Sequence, residues 1–325
     1  MEDTTLRMIY IFTDIILPMI AGYAAKQRRW LTPEQSNWLI RFNIIVIMTA
    51  LTLLSFWVLP MRTDLLSLPF FAFFNGLLPL AFVLLLGRQR KFSSFVDRGS
   101  YLIAAIPANT GTLGGLCSYI LYGEMSYAYV QIIGVFQNLL MFFVLFPMGY
   151  YYQHSGKDHN FFVFFKDNWK SIFINWNQLS VVALVIGTAL HAAGIPRPAT
   201  GTTIFQALIH VSAWVALIPV GYLIDFSHFK DYARKTLDLI PIKMILTPLA
   251  SYGLALCFTS DPVLLGTIII VMGTPCAINA LITERLYDLN VNLAMAPFIT
   301  TQILYILILY PAFYLLVSWG YLPFK

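Results

Sequence analysis

The run Tyr101-Leu102-Ile103-Ala104-Ala105-Ile106-Pro107-Ala108-Asn109-Thr110-Gly111-Thr112-Leu113-Gly114-Gly115 decides how this chain is read. Its first half is apolar enough for a membrane interior, and then proline, glycine and small polar residues follow in close succession. Proline removes a backbone donor and clashes with the preceding turn, while glycine tolerates the dihedrals of unwound chain. The sequence therefore predicts a membrane helix broken near its middle. A second stretch, Val271-Met272-Gly273-Thr274-Pro275-Cys276-Ala277-Ile278-Asn279, has the same character. Packing explains either stretch taken alone, because Gly111 and Gly115 form a G-x-x-x-G and prolines often only kink such helices. Two matched positions favour a binding site.

Composition agrees with a membrane setting. Of the 325 residues, 59% are hydrophobic and 11% charged, against roughly 25% charged in soluble domains, and the mean hydropathy is +0.74. Apolar stretches bounded by charge or turn residues predict ten helices: Leu6 to Ala25, Leu39 to Leu59, Leu68 to Leu86, Tyr101 to Tyr122, Tyr127 to Tyr152, Leu179 to Ala193, Ala207 to Ile224, Leu239 to Phe258, Val263 to Thr283 and Leu293 to Trp319. At about 20 residues per span they leave no room for a separate soluble domain. The acidic start, Glu2 and Asp3, and Asp14 inside the first apolar run argue against a cleaved signal peptide. The net charge of +5 comes from short clusters and not from a continuous stripe, so nucleic acid is not an expected partner.

Loop charge tests the helix count, because cytoplasmic loops collect Lys and Arg. After the odd-numbered helices come Lys26, Arg28, Arg29 and Arg41; Arg88, Arg90, Lys91 and Arg98; Lys157, Lys166 and Lys170; Lys230, Arg234, Lys235 and Lys243; and Arg285. Only Arg7, Arg62, Arg197 and Lys325 remain for the other side. Both termini are thus expected on the non-cytoplasmic side. Two five-helix repeats, 1–152 and 179–325, would start on opposite sides and so form an inverted repeat. The linker 153–178 carries Phe161, Phe165, Trp169, Ile172, Phe173 and Trp176 at helical spacing and reads as an amphipathic helix in the cytoplasmic interface.

Few polar residues lie within the spans. Asp14 is a carboxylate inside a helix, whose charge would cost about 2.5–3.5 kcal/mol at mid-membrane; it either carries a coupling proton or braces the first helix by a hydrogen bond. Lys243 offers a cation to an anion or snorkels to the interface. Gln131 and Asn138, seven apart on the fifth helix with Gln137 beside them, line a cavity or bridge helices. Glu284 and Arg285 pair with each other or with Asp288 and read as a solvated or gating cluster. His191 and His210 lack companions for a metal site, and Cys117, Cys257 and Cys276 read as small core residues. Beyond each break, a half-helix N-terminus could hold an anion without a basic side chain.

These residues resemble the auxin efflux carrier family, which includes plant auxin exporters and bacterial carriers such as putative malonate transporters. The resemblance runs through Leu17-Pro18, Gly22-Tyr23 and Leu31 to Glu34, then Asn109-Thr110-Gly111 with Gly114, Tyr122-Gly123-Glu124, Val130-Gln131 and Gln137, then Gly194-Ile195-Pro196, and finally Pro275 through Asn279 to Glu284-Arg285. It implies an all-α membrane fold of ten helices, a five-plus-five inverted repeat in which the fourth and ninth cross at their breaks beside the substrate. Helices 1, 2, 6 and 7 would form a scaffold around which the other six move. The implied substrate-binding set is Asn109, Thr110, Gly111, Gly114, Pro275, Cys276 and Asn279; the residues' own chemistry adds Asp14, Gln131, Asn138 and Lys243 as candidates for coupling or support. Two departures stand out. Gly115-Leu116 replaces the proline usual after the fourth-helix glycine, so the break relies on Gly114 and Gly115 or moves toward Pro107. Met48-Thr49-Ala50 stands where the second helix usually has a proline.

The expected function is a secondary carrier for a small organic anion, a carboxylate, in the inner membrane of a bacterium. No enzyme activity, metal or cofactor is expected; the coupling ion is a proton or sodium, or none, and the family suggests a homodimer. Two alternatives remain. A sodium-coupled symporter of the bile-acid type shares the crossed helices but wants carboxylates there. A membrane acyltransferase would draw on His154, Asp158 and His159. A phosphatase fused after Lys325 is expected to be active and a fluorescent protein dark; the opposite pattern would reverse the orientation read from the loops.

Overall fold

The computed structural model describes residues 9–154 and 176–320. Among them the chain is helical throughout, with one isolated β-bridge. We number the helices α1 (11–27), α2 (Pro33–Val58), α3 (Thr63–Leu85), α4 (Phe95–Ala105), α5 (110–122), α6 (Glu124–Gln153), α7 (Leu179–Ala192), α8 (Ala199–Leu223), α9 (Phe229–Thr236), α10 (Leu239–Ala255), α11 (Pro262–Met272), α12 (Ile278–Leu286) and α13 (Val291–Trp319). Five of these, α2, α3, α6, α8 and α13, are individually long and apolar enough to cross a membrane. A sixth span results if α9 and α10, bent by 57° at their junction, count as one. By the length and composition of these helices the all-helical chain is compatible with a membrane protein. The expected interfacial helix lies outside the described residues apart from Trp176, as do Arg7, Lys157, Asp158, His159, Lys166, Lys170 and Lys325.

Local sequence explains the boundaries. The capping box of Thr32 and Gln35, with Pro33 in the first turn, starts α2 several residues before the apolar run that marked it. Asp261 caps α11 by accepting from the Leu264 N–H at 2.9 Å. Gly123, at φ 78°, makes the turn between α5 and α6 that a side chain would strain. In α2 a wide π-helical turn over Asn43–Ile47 occupies the neighbourhood where the family resemblance would put a proline.

Packing divides the helices into two groups. In one, α1 lies on α8, α2 on α7, and α8 also touches α2. In the other, α3, α6, α10 and α13 surround the short helices α4, α5, α11 and α12. The α1–α8 contact brings backbone against backbone: a Cβ on Gly22 would stand 2.0 Å from the Ile218 carbonyl oxygen, and one on Gly221 the same 2.0 Å from that of Met19. Small residues permit such approach where lipid offers no hydrophobic drive for association. Two turns away along α1, Asp14 is 4% exposed, and its Oδ2 stands 2.5 Å from His210 Nδ1 on α8. The carboxylate thus braces α1 against a neighbour.

Three sequence expectations need correction. Lys243 is neither a loop charge nor a snorkelling one, since it is 1% exposed inside α10. Cys257 is exposed just past the end of α10, whereas Cys117 and Cys276 are buried free thiols. Glu284, Arg285 and Asp288 form no cluster: Glu284 is 0% exposed, and Asp288 accepts from Gln153 Nε2 at 3.4 Å. Arg285 remains exposed because it points to another face of α12.

Replacing Gly22 with leucine, or Gly221 with valine, is expected to cost about 1–3 kcal/mol or more by overpacking. Thermal unfolding of purified protein in detergent measures this; unchanged unfolding would mean that α1 and α8 are not so close.

Candidate functional site

The two interrupted helices meet at their breaks. α4 and α11 have 11 residues each, about 16 Å of helix, or roughly half of a 30 Å hydrocarbon core. Between α4 and α5 the chain unwinds at Ile106–Asn109, and between α11 and α12 at Gly273–Ala277. These segments pair as a short antiparallel bridge at Ala108 and Cys276. The Asn109 N–H donates to the Pro275 carbonyl at 2.8 Å, and the Ala277 N–H to that of Pro107 at 3.1 Å.

Side chains from three other helices bond further backbone groups of the crossing, and one from a fourth bonds a side chain there. Lys243 Nζ on α10 donates to the carbonyls of Ala105, at 2.8 Å, and Pro107, at 3.1 Å. The ammonium therefore sits at the negative end of α4, where a cation is favoured. Gln137 Nε2 on α6 donates to the Ala108 carbonyl at 3.0 Å. On α13, Thr301 Oγ1 accepts from the Cys276 N–H at 3.1 Å, and Gln302 Nε2 donates to the Cys276 carbonyl at 3.3 Å. Asn75 Nδ2 on α3 donates to Thr110 Oγ1 at 2.9 Å. Unwound backbone at this depth persists only when protein or water completes its hydrogen bonds.

This geometry sorts the residues named from sequence. Asn109, Thr110, Pro275 and Cys276 come together through the bridge, and Asn279 lies in the first turn of α12 beside them. Thr110, Gly114, Pro275 and Cys276 are buried, with Thr110 and the Cys276 backbone committed to other protein groups, so in this conformation they shape the crossing and do not face a ligand. The break lies at Pro107, and Gly114 and Gly115 fall inside α5, where Gly114 accommodates the Thr274 methyl; a Cβ there would meet it at 3.2 Å. Asn109, Gly111 and Asn279 stay partly exposed. Among the described residues, neither the Asn109 nor the Asn279 side-chain amide has a hydrogen-bond partner. Nor does a side chain cap the N-terminus of α5 or α12.

Gly111 and Thr112 also line a narrow cleft, with an empty volume of ≈ 240 Å³ including open solvent, whose other walls include Asn43, Met48, Tyr127 and Ser212. It separates α2 and α8 from α5 and α6, the two packing groups. Gln131 reaches across near it, its Oε1 accepting from Thr52 Oγ1 of α2 at 3.4 Å, whereas Asn138 is half-buried farther along α6. One ion pair joins the groups among the described residues. Arg197, before α8, binds Glu124 at the start of α6, and also donates to the Leu54 carbonyl of α2 at 2.8 Å. At the same end, hydrogen bonds to Asp64 and then Asp261 hold Arg62 above the ordinary arginine range. His154 Nδ1 lies 3.0 Å from the Tyr150 carbonyl.

The chain matches no protein-family model and no curated protein. Its function is read from the crossing itself.

Sequence reasoning missed the roles of Lys243, Asn75, Thr301 and Gln302. The signal for Lys243 was a lone cation inside Pro241-Ile242-Lys243-Met244-Ile245-Leu246, too deep for an interfacial residue. Lys243→Met is expected to strand the Ala105 carbonyl and cost about 1–3 kcal/mol, seen as a lower unfolding temperature in detergent; an unchanged value would mean that water serves that carbonyl.

Proposed function

We propose that this protein is a secondary carrier that moves a small organic anion, a carboxylate, across the membrane by elevator-like alternating access. The observation that carries the reading is the crossing of two interrupted helices, with two uncommitted asparagine amides and two uncapped helix N-termini beside it. A helix N-terminus carries roughly half a positive charge and free N–H groups, which favour a carboxylate without a basic side chain. Half-helix ends that face each other at mid-membrane are how broken-helix carriers hold anions. Asn109 and Asn279 donate hydrogen bonds to the anion from opposite sides of the crossing.

The proposed architecture has ten spans in two inverted repeats: α1, α2, α3, α4 with α5, and α6; then α7, α8, α10, α11 with α12, and α13. Its support is the pairing of equivalent elements. The α1–α8 contact has its counterpart in α2–α7, where Gly187 packs against α2 so closely that a Cβ would stand 2.8 Å from the Leu53 carbonyl oxygen. The α4–α5 break has its counterpart in that of α11–α12. In this reading α1, α2, α7 and α8 are the scaffold, and the group that holds the crossing moves along the cleft. The family implied is the auxin efflux carriers, and the setting a bacterial inner membrane with both termini outside.

A bile-acid-type sodium symporter fits less well, because the bridge gathers amides, a lysine and backbone, and neither break contains a carboxylate. An acyltransferase fits less well too, since His154 faces its own helix carbonyl.

A thermal-shift screen of monocarboxylates, dicarboxylates and indole acids identifies the substrate class. For a stabilising acid, Asn109→Ala and Asn279→Ala are each expected to weaken binding about 10- to 100-fold, the loss of one hydrogen bond to a charged group at about 1.5–3 kcal/mol. Correctly folded variants that bind and transport as the wild type does would remove these asparagines from the site.

A further inference from the structure

Glu284 stands apart from the other carboxylates among the described residues. It lies on α12, the half-helix that leaves the crossing, and is 0% exposed. Both its carboxyl oxygens are buried without a hydrogen-bond partner among the described residues. Asp14, by contrast, is bonded to His210, and Asp64, Glu124, Asp238 and Asp261 all have basic partners. An ionised carboxylate left buried and unpaired costs several kcal/mol, so such a group either neutralises itself or unfolds its surroundings.

Among the described residues no basic group forms an ion pair or hydrogen bond with Glu284. α12 packs on α4, on α13 and on the end of α6. From α4, Asp97 is engaged by Asn290 Nδ2 at 2.7 Å and Tyr101 by Asp238, while Arg98 donates to the Phe92 carbonyl at 3.3 Å and keeps its Nε unpartnered, without bonding Glu284. The end of α6 brings Tyr150, Tyr151 and Tyr152, with His154 as its C-cap turned to the Tyr150 carbonyl, and α13 brings Tyr305, Tyr310 and Tyr314 as titratable groups. Lys243, the cation at the crossing, is engaged by the carbonyls of Ala105 and Pro107. On α12 itself Arg285 is exposed, and just past its end Asp288 turns to Gln153. Ala280 and Tyr287, one turn to either side, pack in an apolar cluster with Ile103, Ile106, Leu140 and Leu145.

We infer that Glu284 is a proton-binding site of the carrier, loaded in this conformation and emptied when movement of the crossing group brings α12 to water. The inference rests on the carrier reading above and adds a coupling ion to it. The proton enters from water as Glu284 goes from carboxylate to neutral acid, and returns to water on the other side. One proton taken with each anion offsets one negative charge. The position suits such coupling, because Glu284 is five residues beyond Asn279, on the same short helix whose first turn meets the anion, and two before the helix end at Leu286. A rigid half-helix thus carries both sites together.

Infrared spectroscopy of purified protein at neutral pH, with no substrate, tests the proton directly. Wild type minus Glu284→Gln is expected to contain the carbonyl band of one protonated carboxylic acid, and the band should shift in D2O. Glutamine mimics the neutral acid, so the variant should unfold no earlier than the wild type, which guards against a folding artefact. A difference spectrum with only an ionised carboxylate, a band removed by sodium chloride, or a band that never exchanges in D2O would each overturn the site. In proteoliposomes with the membrane potential clamped at zero by valinomycin and equal potassium on both sides, with labelled malonate as the first probe, and otherwise the acid that stabilises the protein best, a gradient of one pH unit should support about tenfold accumulation in the wild type and none in Glu284→Gln. Equal accumulation by both overturns the coupling role. Failure of every acid to bind would sink the carrier reading and leave the infrared result standing, so the two failures are distinguishable.

Discussion

A peptide group that leaves its helix inside a bilayer has no water to turn to, and here two such breaks turn to each other. The reciprocal bonds between Asn109 and Pro275, and between Ala277 and Pro107, complete one interruption with the other. Everything around the crossing follows from the donors and acceptors still left over. Lys243, Gln137, Thr301 and Gln302 each sit in an apolar helix face where they would be costly alone. Each is there because a bent backbone needs a partner at that depth.

The arrangement sorts charge as well as hydrogen bonds. The C-terminal end of α4 is neutralised by Lys243, whereas the N-terminal ends of α5 and α12 are left without a capping side chain. The crossing therefore keeps its positive helix ends available and covers a negative one. The helices around it are held together by many side-chain hydrogen bonds, such as Ser126 with Thr267 at 2.6 Å. Against α1, α2, α7 and α8 they present mostly apolar surface, a narrow cleft and the pair of Arg197 with Glu124. Few polar contacts cross that boundary.

What the sequence made legible was whatever has a local cause. Pro107 and Pro275 announce their breaks because proline disrupts a helix wherever it stands, and apolar runs of about 20 residues announce spans for the same kind of reason. The position of the first break was less clear, since Gly114 and Gly115 carry the same local signal as Pro107. The neighbouring α11–α12 segment decides it, by offering a partner to the carbonyl of Pro107 and not to chain seven residues later. Asn109 and Asn279 stood out in the sequence as polar residues at a visible break, and the structure leaves both partly exposed beside the crossing. Lys243 and Glu284 were misread because a charge near a helix end usually reaches water. Whether it does depends on which helices close over it, and periodicity along one strand of sequence does not contain that.

The bridge also has a bearing on the order of assembly. Its two halves lie more than 160 residues apart, and α1 likewise rests on a helix made long after it. A growing chain inserts from its N-terminus, so the carbonyl of Pro107 enters the bilayer before its partner at Ala277 has been synthesised. In that interval the first break lacks both the bridge and Lys243. Its distinctive shape is thus acquired late, as a product of the finished bundle, and the earliest helices must wait in lipid or in the insertion machinery until the second half arrives to complete them.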